Sequence, residues 1–231
     1  MYRILPKKLV VLAIVWLALG MMLLGQTLGS LLAFQFSLTS VPLLVWALLN
    51  AILWNPVWRW LWRKIPKLNE WVFPDLNGTW EVELCSNWPR QAQMLEAAAS
   101  KKHAIDMRHC PEGELAPLTP IRLEAEICQT WFGFDMLLYN PQGDTPIDRS
   151  NTMSVDPFAR AGLRRPGICY FYKQVNVTDS VADDVEFYGA ARLEYDVQKD
   201  KLVGLAWTAR MWRHAMNTAG SITFTRKTSA S

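Results

Sequence analysis

Fifty consecutive residues, Leu9–Trp58, carry no charge. No soluble domain buries such a run easily, and it is too long for one membrane span. A span needs roughly 20 apolar residues to cross about 30 Å of hydrocarbon. The run therefore predicts two helices, near Leu9–Gly29 and Val41–Trp58, joined by a short turn. Ser40 is placed to cap the second helix, with Pro42 in its first turn, where a missing N–H costs little. A cleaved signal peptide fits less well: the apolar run exceeds the usual h-region of about 7–15 residues, and a second run follows at once.

Charge sets the orientation. Seven of the 24 basic residues lie in residues 1–67, which hold no acidic one; the other 17 face all 21 acidic residues, a net of −4. Arg3, Lys7 and Lys8 flank one end of the hairpin, and Arg59, Arg63, Lys64 and Lys67 the other. The positive-inside rule then predicts a multi-pass protein with both termini and the body in the cytoplasm. Trp54, Trp58, Trp60 and Trp62 cluster at the exit of the second helix, where indoles suit the headgroup layer. Gly25 and Gly29, four apart, allow close helix packing, within one hairpin or between chains. No ionisable residue lies within either span, which argues against a proton relay, transporter or voltage sensor. The whole chain's net charge of +3 is too small for a binder of DNA or RNA polymers.

The organisation expected is a membrane domain over residues 1–62, a linker over 63–74 punctuated by Pro66, Asn69 and Pro74, and a body over 75–231. Most of the body alternates with period two. In Thr79–Leu84, Trp80, Val82 and Leu84 share one face; in Ile121–Trp131, Ile121, Leu123, Ala125 and Ile127 do. Further strands are expected at 132–139, 147–155, 168–175, 186–197, 201–211 and 221–226. Asn140–Asp144 and Gln198–Asp200 read as hairpin turns. Eight antiparallel strands joined by short connections are most economically closed into an up-and-down barrel, because closure removes exposed edges. Residues 89–119 read as an excursion after the first strand, with a short helix in Gln91–Met107.

Chemistry-bearing motifs are sparse. Cys85, Cys110, Cys128 and Cys169 show no C-x-x-C spacing and read as reduced thiols. His103, His109 and His214 are scattered; His109-Cys110 would be half a zinc site without its other half, so no metal is expected. No nucleophile elbow, Walker loop or dinucleotide fingerprint occurs, so neither an enzyme nor a bound cofactor is expected. Asp183/Asp184 read as a solvated turn.

A small barrel can enclose one small ligand. Gln129 and Trp131 continue the apolar face of their strand. Tyr170, Tyr172 and Gln174 share a face of another, and Thr208, Arg210 and Trp212 share a third, with Arg213 beyond. Aromatic rings beside guanidinium groups suit a nucleotide, because bases stack on rings and arginine pairs bidentately with phosphate. On these residues alone an apolar ligand is favoured over a phosphate-bearing one, since Tyr and Trp are common on any strand and Arg210 could face water.

The order of motifs is specific: Asp75-Leu76-Asn77-Gly78-Thr79-Trp80, Ile127-Cys128-Gln129-Thr130-Trp131-Phe132, Tyr170-Phe171-Tyr172-Lys173-Gln174-Val175-Asn176, Tyr188-Gly189-Ala190-Ala191-Arg192-Leu193, Trp207-Thr208-Ala209-Arg210 and Thr218-Ala219-Gly220-Ser221-Ile222-Thr223-Phe224. Behind two apolar helices, this resembles the CBASS antiphage effectors with two transmembrane helices and a β-strand-rich sensor (the SMODS-associating, minimal β-barrel type). The Gly-x-Trp opening is also similar to lipocalins. The resemblance implies a sensor for a cyclic dinucleotide made by a partner nucleotidyltransferase, homo-oligomerisation on activation, and disruption of the bacterial inner membrane with abortive infection. The segments 89–119 and 157–167 depart from the shorter family pattern, which bears on the choice of messenger. Two rival expectations stand beside it: a membrane-anchored, lipocalin-like carrier of an apolar ligand, and an anchored barrel with a filled interior that binds a partner protein, which a barrel without a cavity would favour.

Overall fold

The computed structural model describes residues 4–32, 37–100, 105–118, 120–178 and 183–227. Two units separate, Met1–Asp75 with Thr130–Gly133, and Leu76–Gln129 with Phe134–Ser231.

In the first unit, α1 spans Lys7–Leu32, and its stretch Lys7–Leu28 is long and apolar enough to cross a membrane. The second helix is not the single rod expected. Helix α2 covers Val41–Leu53 and α3 covers Asn55–Lys64, bent by 65° at Trp54. Pro56 explains the break. It has no N–H for the carbonyl of Ile52, and its ring would collide with that carbonyl in a continuous helix. Trp54 is accordingly extended, with ψ 131°. Thirteen residues rise only about 20 Å, so α2 alone falls short of a span. Gly25 of α1 is buried within the chain, as are Val41 and Val45 of α2. The surroundings of Gly29 lie outside the described residues.

The tryptophans divide. Trp54 and Trp60 are exposed, whereas Trp58 and Trp62 are buried, contrary to a common place in the headgroup layer. On α3 they lie four apart and so face one way. Their rings meet edge-on at 5.4 Å, and both meet Trp131 edge-on, at 6.4 and 5.8 Å. Trp62 Nε1 donates to the Phe73 carbonyl at 2.7 Å, and Arg59 pairs with Asp75 at 3.0 Å. The expected linker is thus a folded strap, with a short helix α4 at Leu68–Trp71 and a buried Phe73.

The second unit is a closed barrel with strand order β1 to β8, every neighbouring pair antiparallel and β8 pairing back onto β1. The strands are β1 Gly78–Ser86, β2 Pro120–Gln129, β3 Phe134–Tyr139, β4 Ile147–Phe158, β5 Gly167–Asn176, β6 Glu186–Asp196, β7 Lys201–Thr208 and β8 Ala219–Arg226. All eight expected strands are present. Their alternation is that of a sheet with one face in the core. After β1 comes α5, Trp88–Ala99, which starts earlier than expected and ends at Ser100, whose extended backbone stops the helix well before Met107.

The interior tapers. At the end where β1 begins, Trp80, Ile127, Ile168, Leu193, Leu202 and Phe224 are fully buried. Trp80 Nε1 donates to the Leu76 carbonyl at 3.0 Å, and the Arg226 guanidinium lies 4.2 Å over its ring. At the other end the inward residues are smaller and more polar: Ser150, Thr152, Ala206 and Thr208. Gly204 marks a close approach between strands, since a Cβ there would lie 1.9 Å from the Arg192 carbonyl oxygen.

Candidate functional site

That smaller, more polar end is the barrel's mouth. The connections after β1, β3, β5 and β7 all converge on it, because an up-and-down barrel puts alternate loops at one end. Two spaces lie in series below it. A void of about 20 Å³ midway is bordered by Met136, Ser150, Thr152, Tyr170 and Tyr172. Another of about 70 Å³ at the mouth is bordered by Tyr172, Gln174, Asn176, Phe187, Thr208 and Arg210. Sites for drug-sized ligands run to about 300–1,000 Å³. The expected ligand-sized interior is therefore absent among the described residues: apolar packing fills the base, and side chains from β5 and β7 fill much of the rest.

Tyr170, Tyr172 and Gln174 come together as their shared strand face requires. The two tyrosine rings lie 5.7 Å apart. Neither hydroxyl has a hydrogen-bond partner among the described residues, and both residues border the voids. Burial pushes the Tyr172 hydroxyl up to about 12. Burial also pushes Tyr170 far above the usual phenol range, with Tyr172 adding to the shift. Gly189 of β6 makes room for this pair, because a Cβ there would lie 2.3 Å from the Tyr172 ring. Gln174 Nε2 donates to Asn176 Oδ1 at 2.8 Å. Thr208 Oγ1 sits 2.9 Å from Thr218 Oγ1 and closes the rim between β7 and β8.

Arg210 lies at this mouth, already engaged. Its Nε donates to Asp183 Oδ1 at 2.6 Å and its Nη2 to Asp183 Oδ2 at 2.7 Å. The guanidinium also lies 5.1 Å over the ring of Trp88, the first residue of α5. A bidentate carboxylate partner occupies the fork geometry that a phosphate would use. Asp184 continues the lock by accepting from the Met211 N–H at 2.5 Å. Asp183 and Asp184 are thus not a solvated turn. Their signal was in the topology: the β5–β6 and β7–β8 connections meet at one end of an up-and-down barrel.

Trp212 and Arg213 depart from the expected face. Strand β7 ends at Thr208, and Met211 and Ala215 are left-handed, with φ of 47° and 56°, on either side of a 3₁₀ turn at Trp212–His214. The alternation stops there because the backbone turns out of the sheet. Trp212 and Arg213 stack on each other at 5.5 Å and border a separate outer hollow of about 390 Å³ with Tyr188 and Asp184. A larger groove of about 450 Å³, on the outside of β1, β2 and β8, is lined by Glu81, Glu83 and Glu124 against the single Arg122, a net negative lining that disfavours phosphate.

Gln129 lies at the opposite end of the barrel. Its Oε1 accepts from the Leu76 N–H at 2.7 Å, and its own N–H donates to Asn77 Oδ1 at 2.7 Å. It pins the entry to β1. Trp131 belongs to the tryptophan cluster of the first unit. No three His, Cys, Asp or Glu side chains gather as a metal site among the described residues, and His103 lies outside them.

No protein-family model matches the chain. It is 25% identical over 235 residues to CD-NTase-associated protein 15 of Escherichia albertii, an alignment covering 98% of each chain.

Proposed function

We propose that this chain is a CBASS antiphage effector of the two-transmembrane, β-barrel kind: a membrane-anchored barrel that senses a cyclic dinucleotide and damages the bacterial inner membrane. The observation that carries the reading is the end-to-end similarity to a protein named for its association with a CD-NTase, which spans the apolar head and the barrel alike. The partner is then a nucleotidyltransferase that makes the messenger. The chain acts by binding rather than by catalysis.

The mouth is the binding end. Tyr170 and Tyr172 offer rings and unsatisfied hydroxyls, Gln174 and Thr208 offer polar edges, and Arg210 offers a fork for phosphate. The present voids are too small for the messenger, so binding goes with opening. A messenger phosphate exchanges with the Asp183 carboxylate on Arg210, which frees the β5–β6 and β7–β8 connections to separate. A ligand shifts this equilibrium only by binding the open form better than the closed one. Association of the opened barrels concentrates their apolar hairpins, and weak packing between helices then suffices.

In this reading α1 crosses the inner membrane. Helices α2 and α3 together make the bent return crossing, which ends with Arg59, Arg63 and Lys64 at the cytoplasmic surface, where they satisfy the positive-inside preference. The end-to-end similarity to a protein named for a CD-NTase favours this over the carrier of an apolar ligand, since the lining at the mouth mixes Gln174, Asn176, Thr208 and Arg210 with Leu84, Ile147 and Phe187. Calorimetry of the full chain in nanodiscs against a panel of cyclic dinucleotides tests the reading. Saturable binding of at least one is expected. Binding of none, with lipid or another apolar molecule extracted from the barrel, overturns it.

A further inference from the structure

The end of the barrel opposite the mouth carries a feature that the messenger site does not use. Between β4 and β5 the chain projects as a small hairpin. Ala161 and Arg164 are bridged through both backbone N–H groups, at 3.3 and 3.0 Å, which leaves Gly162 and Leu163 as its tip. Gly162 has φ +61°, the left-handed conformation such a tip needs. Leu163 is fully exposed, and Arg160, Arg164 and Arg165 around it are exposed too. No acidic residue lies between Ala159 and Gly167. Arg165 reaches Asp196 at 2.9 Å yet stays half exposed, and Arg164 has no ion pair among the described residues. Lys199, in the neighbouring turn between β6 and β7, is exposed and carries none either.

We infer that the Arg160–Arg165 hairpin docks the barrel onto an anionic phospholipid surface. Leu163 contributes nothing to the core, so the fold gives no reason for it at a tip. An apolar tip ringed by guanidinium groups is matched to a bilayer interface: leucine enters the headgroup–acyl boundary while arginines pair with phosphodiester oxygens. Charge complementarity selects the end. The mouth-end connections hold eight acidic residues against six basic ones, whereas at this end the β4–β5 connection holds three arginines and no acidic residue, and the β6–β7 turn balances Lys199 with Asp200. It is also the end at which β1 begins. The inference rests on the membrane-anchored part of the proposed function. It adds that the sensor has a second, reversible hold on the lipid.

The test is hydrogen–deuterium exchange on the full chain, one copy per nanodisc, in phosphatidylcholine alone and with phosphatidylglycerol added. The peptide covering 159–166 is expected to exchange several-fold more slowly with the anionic lipid, and to lose that protection at high salt. Arg164→Glu should lower the protection by at least about fivefold, the scale of one basic contact with an anionic surface. Leu163→Ser should lower it with the melting temperature unchanged. The 141–145 turn at the mouth end is the internal control. Equal exchange of 159–166 in both lipids overturns the inference. So does protection seen only with several copies per disc, which would make a second copy the partner. Co-elution of chain and disc reports anchoring separately, and calorimetry on the same samples reports messenger binding. A chain that stays in the disc with an unprotected tip therefore sinks the docking alone, whereas a chain that elutes free of discs sinks both.

Discussion

Arg210 and Asp183, 27 residues apart in sequence, are joined by two parallel hydrogen bonds of 2.6 and 2.7 Å across the mouth of the barrel. The pair is largely shielded from water, so it is more than a screened surface contact. It ties the β5–β6 connection to the β7–β8 connection. Under the proposed function, removing one partner or the other should change messenger affinity in opposite directions.

Asp183→Asn leaves Arg210 without its counter-charge. Stability should fall by about 1.5–3 kcal/mol, the scale of charge-assisted hydrogen bonds. Messenger affinity should rise, because the phosphate no longer competes with a carboxylate. Arg210→Ala should instead lower affinity by about 1.5–3 kcal/mol, or roughly 10- to 150-fold. Paired thermal melts and calorimetry read both. Equal loss of affinity in the two variants would show that the pair holds the mouth together rather than gating it.

Tyr172→Phe deletes a hydroxyl that has no partner among the described residues. Stability should change by less than about 0.5 kcal/mol, since no hydrogen bond is lost. A fall in messenger affinity with an unchanged urea midpoint would place the hydroxyl on the ligand. Unchanged affinity would remove it from the site.

Alkali should unfold the barrel. Tyr172 is raised from 10.0 to about 12, and Tyr170 and Tyr195 are raised as well, all chiefly by burial. The unfolded chain then releases these protons first as pH passes about 10, so stability is full below that pH and falls above it. The slope is about 1.4 kcal/mol per pH unit for each group. Urea midpoints measured from pH 8 to 11.5 check this, and Tyr170→Phe should flatten the decline by one proton's worth.

Gly204→Ala forces a methyl to within 1.9 Å of the Arg192 carbonyl oxygen, a backbone atom that cannot swing away. A loss of at least about 2 kcal/mol is expected. Gly113→Ala, where a Cβ meets nothing within 4 Å, is the control. Circular-dichroism melts compare the two.

Pro56→Ala restores the hydrogen bond that the bend at Trp54 lacks. Helices α2 and α3 should then join into one rod over Val41–Lys64, 24 residues and about 36 Å long. Distances between spin labels on Leu43 and Lys64 should lengthen. No change would assign the bend to the packing of Trp58 and Trp62 instead.

The barrel was legible because its strands alternate cleanly: Trp80, Val82 and Leu84 against Glu81 and Glu83 leave only one sensible inward face. The face of Tyr170, Tyr172 and Gln174 followed from the same period of two. That period misleads at the C-terminal end of β7, because it carries Trp212 and Arg213 onto a face that the strand leaves at Thr208. No glycine or proline marks that exit; tertiary bonds from Asp184 and Tyr188 impose it on Met211 and Ala209. Trp131 misled in another way. Its apolar alternation is real, but it lies past the end of β2, in the hairpin tip, and its partners come from α3. The Arg210–Asp183 bond was invisible to periodicity, since it depends on which loops share an end.

The pairing of β1 with β8 has a consequence for biosynthesis. Gly78–Ser86 leaves the ribosome long before Ala219–Arg226 does, so the sheet must wait, unclosed, through most of translation. The apolar helices emerge earlier still. Each molecule therefore owns its apolar helices before it owns a closed barrel, and a chain lost to premature termination would keep the first without the second.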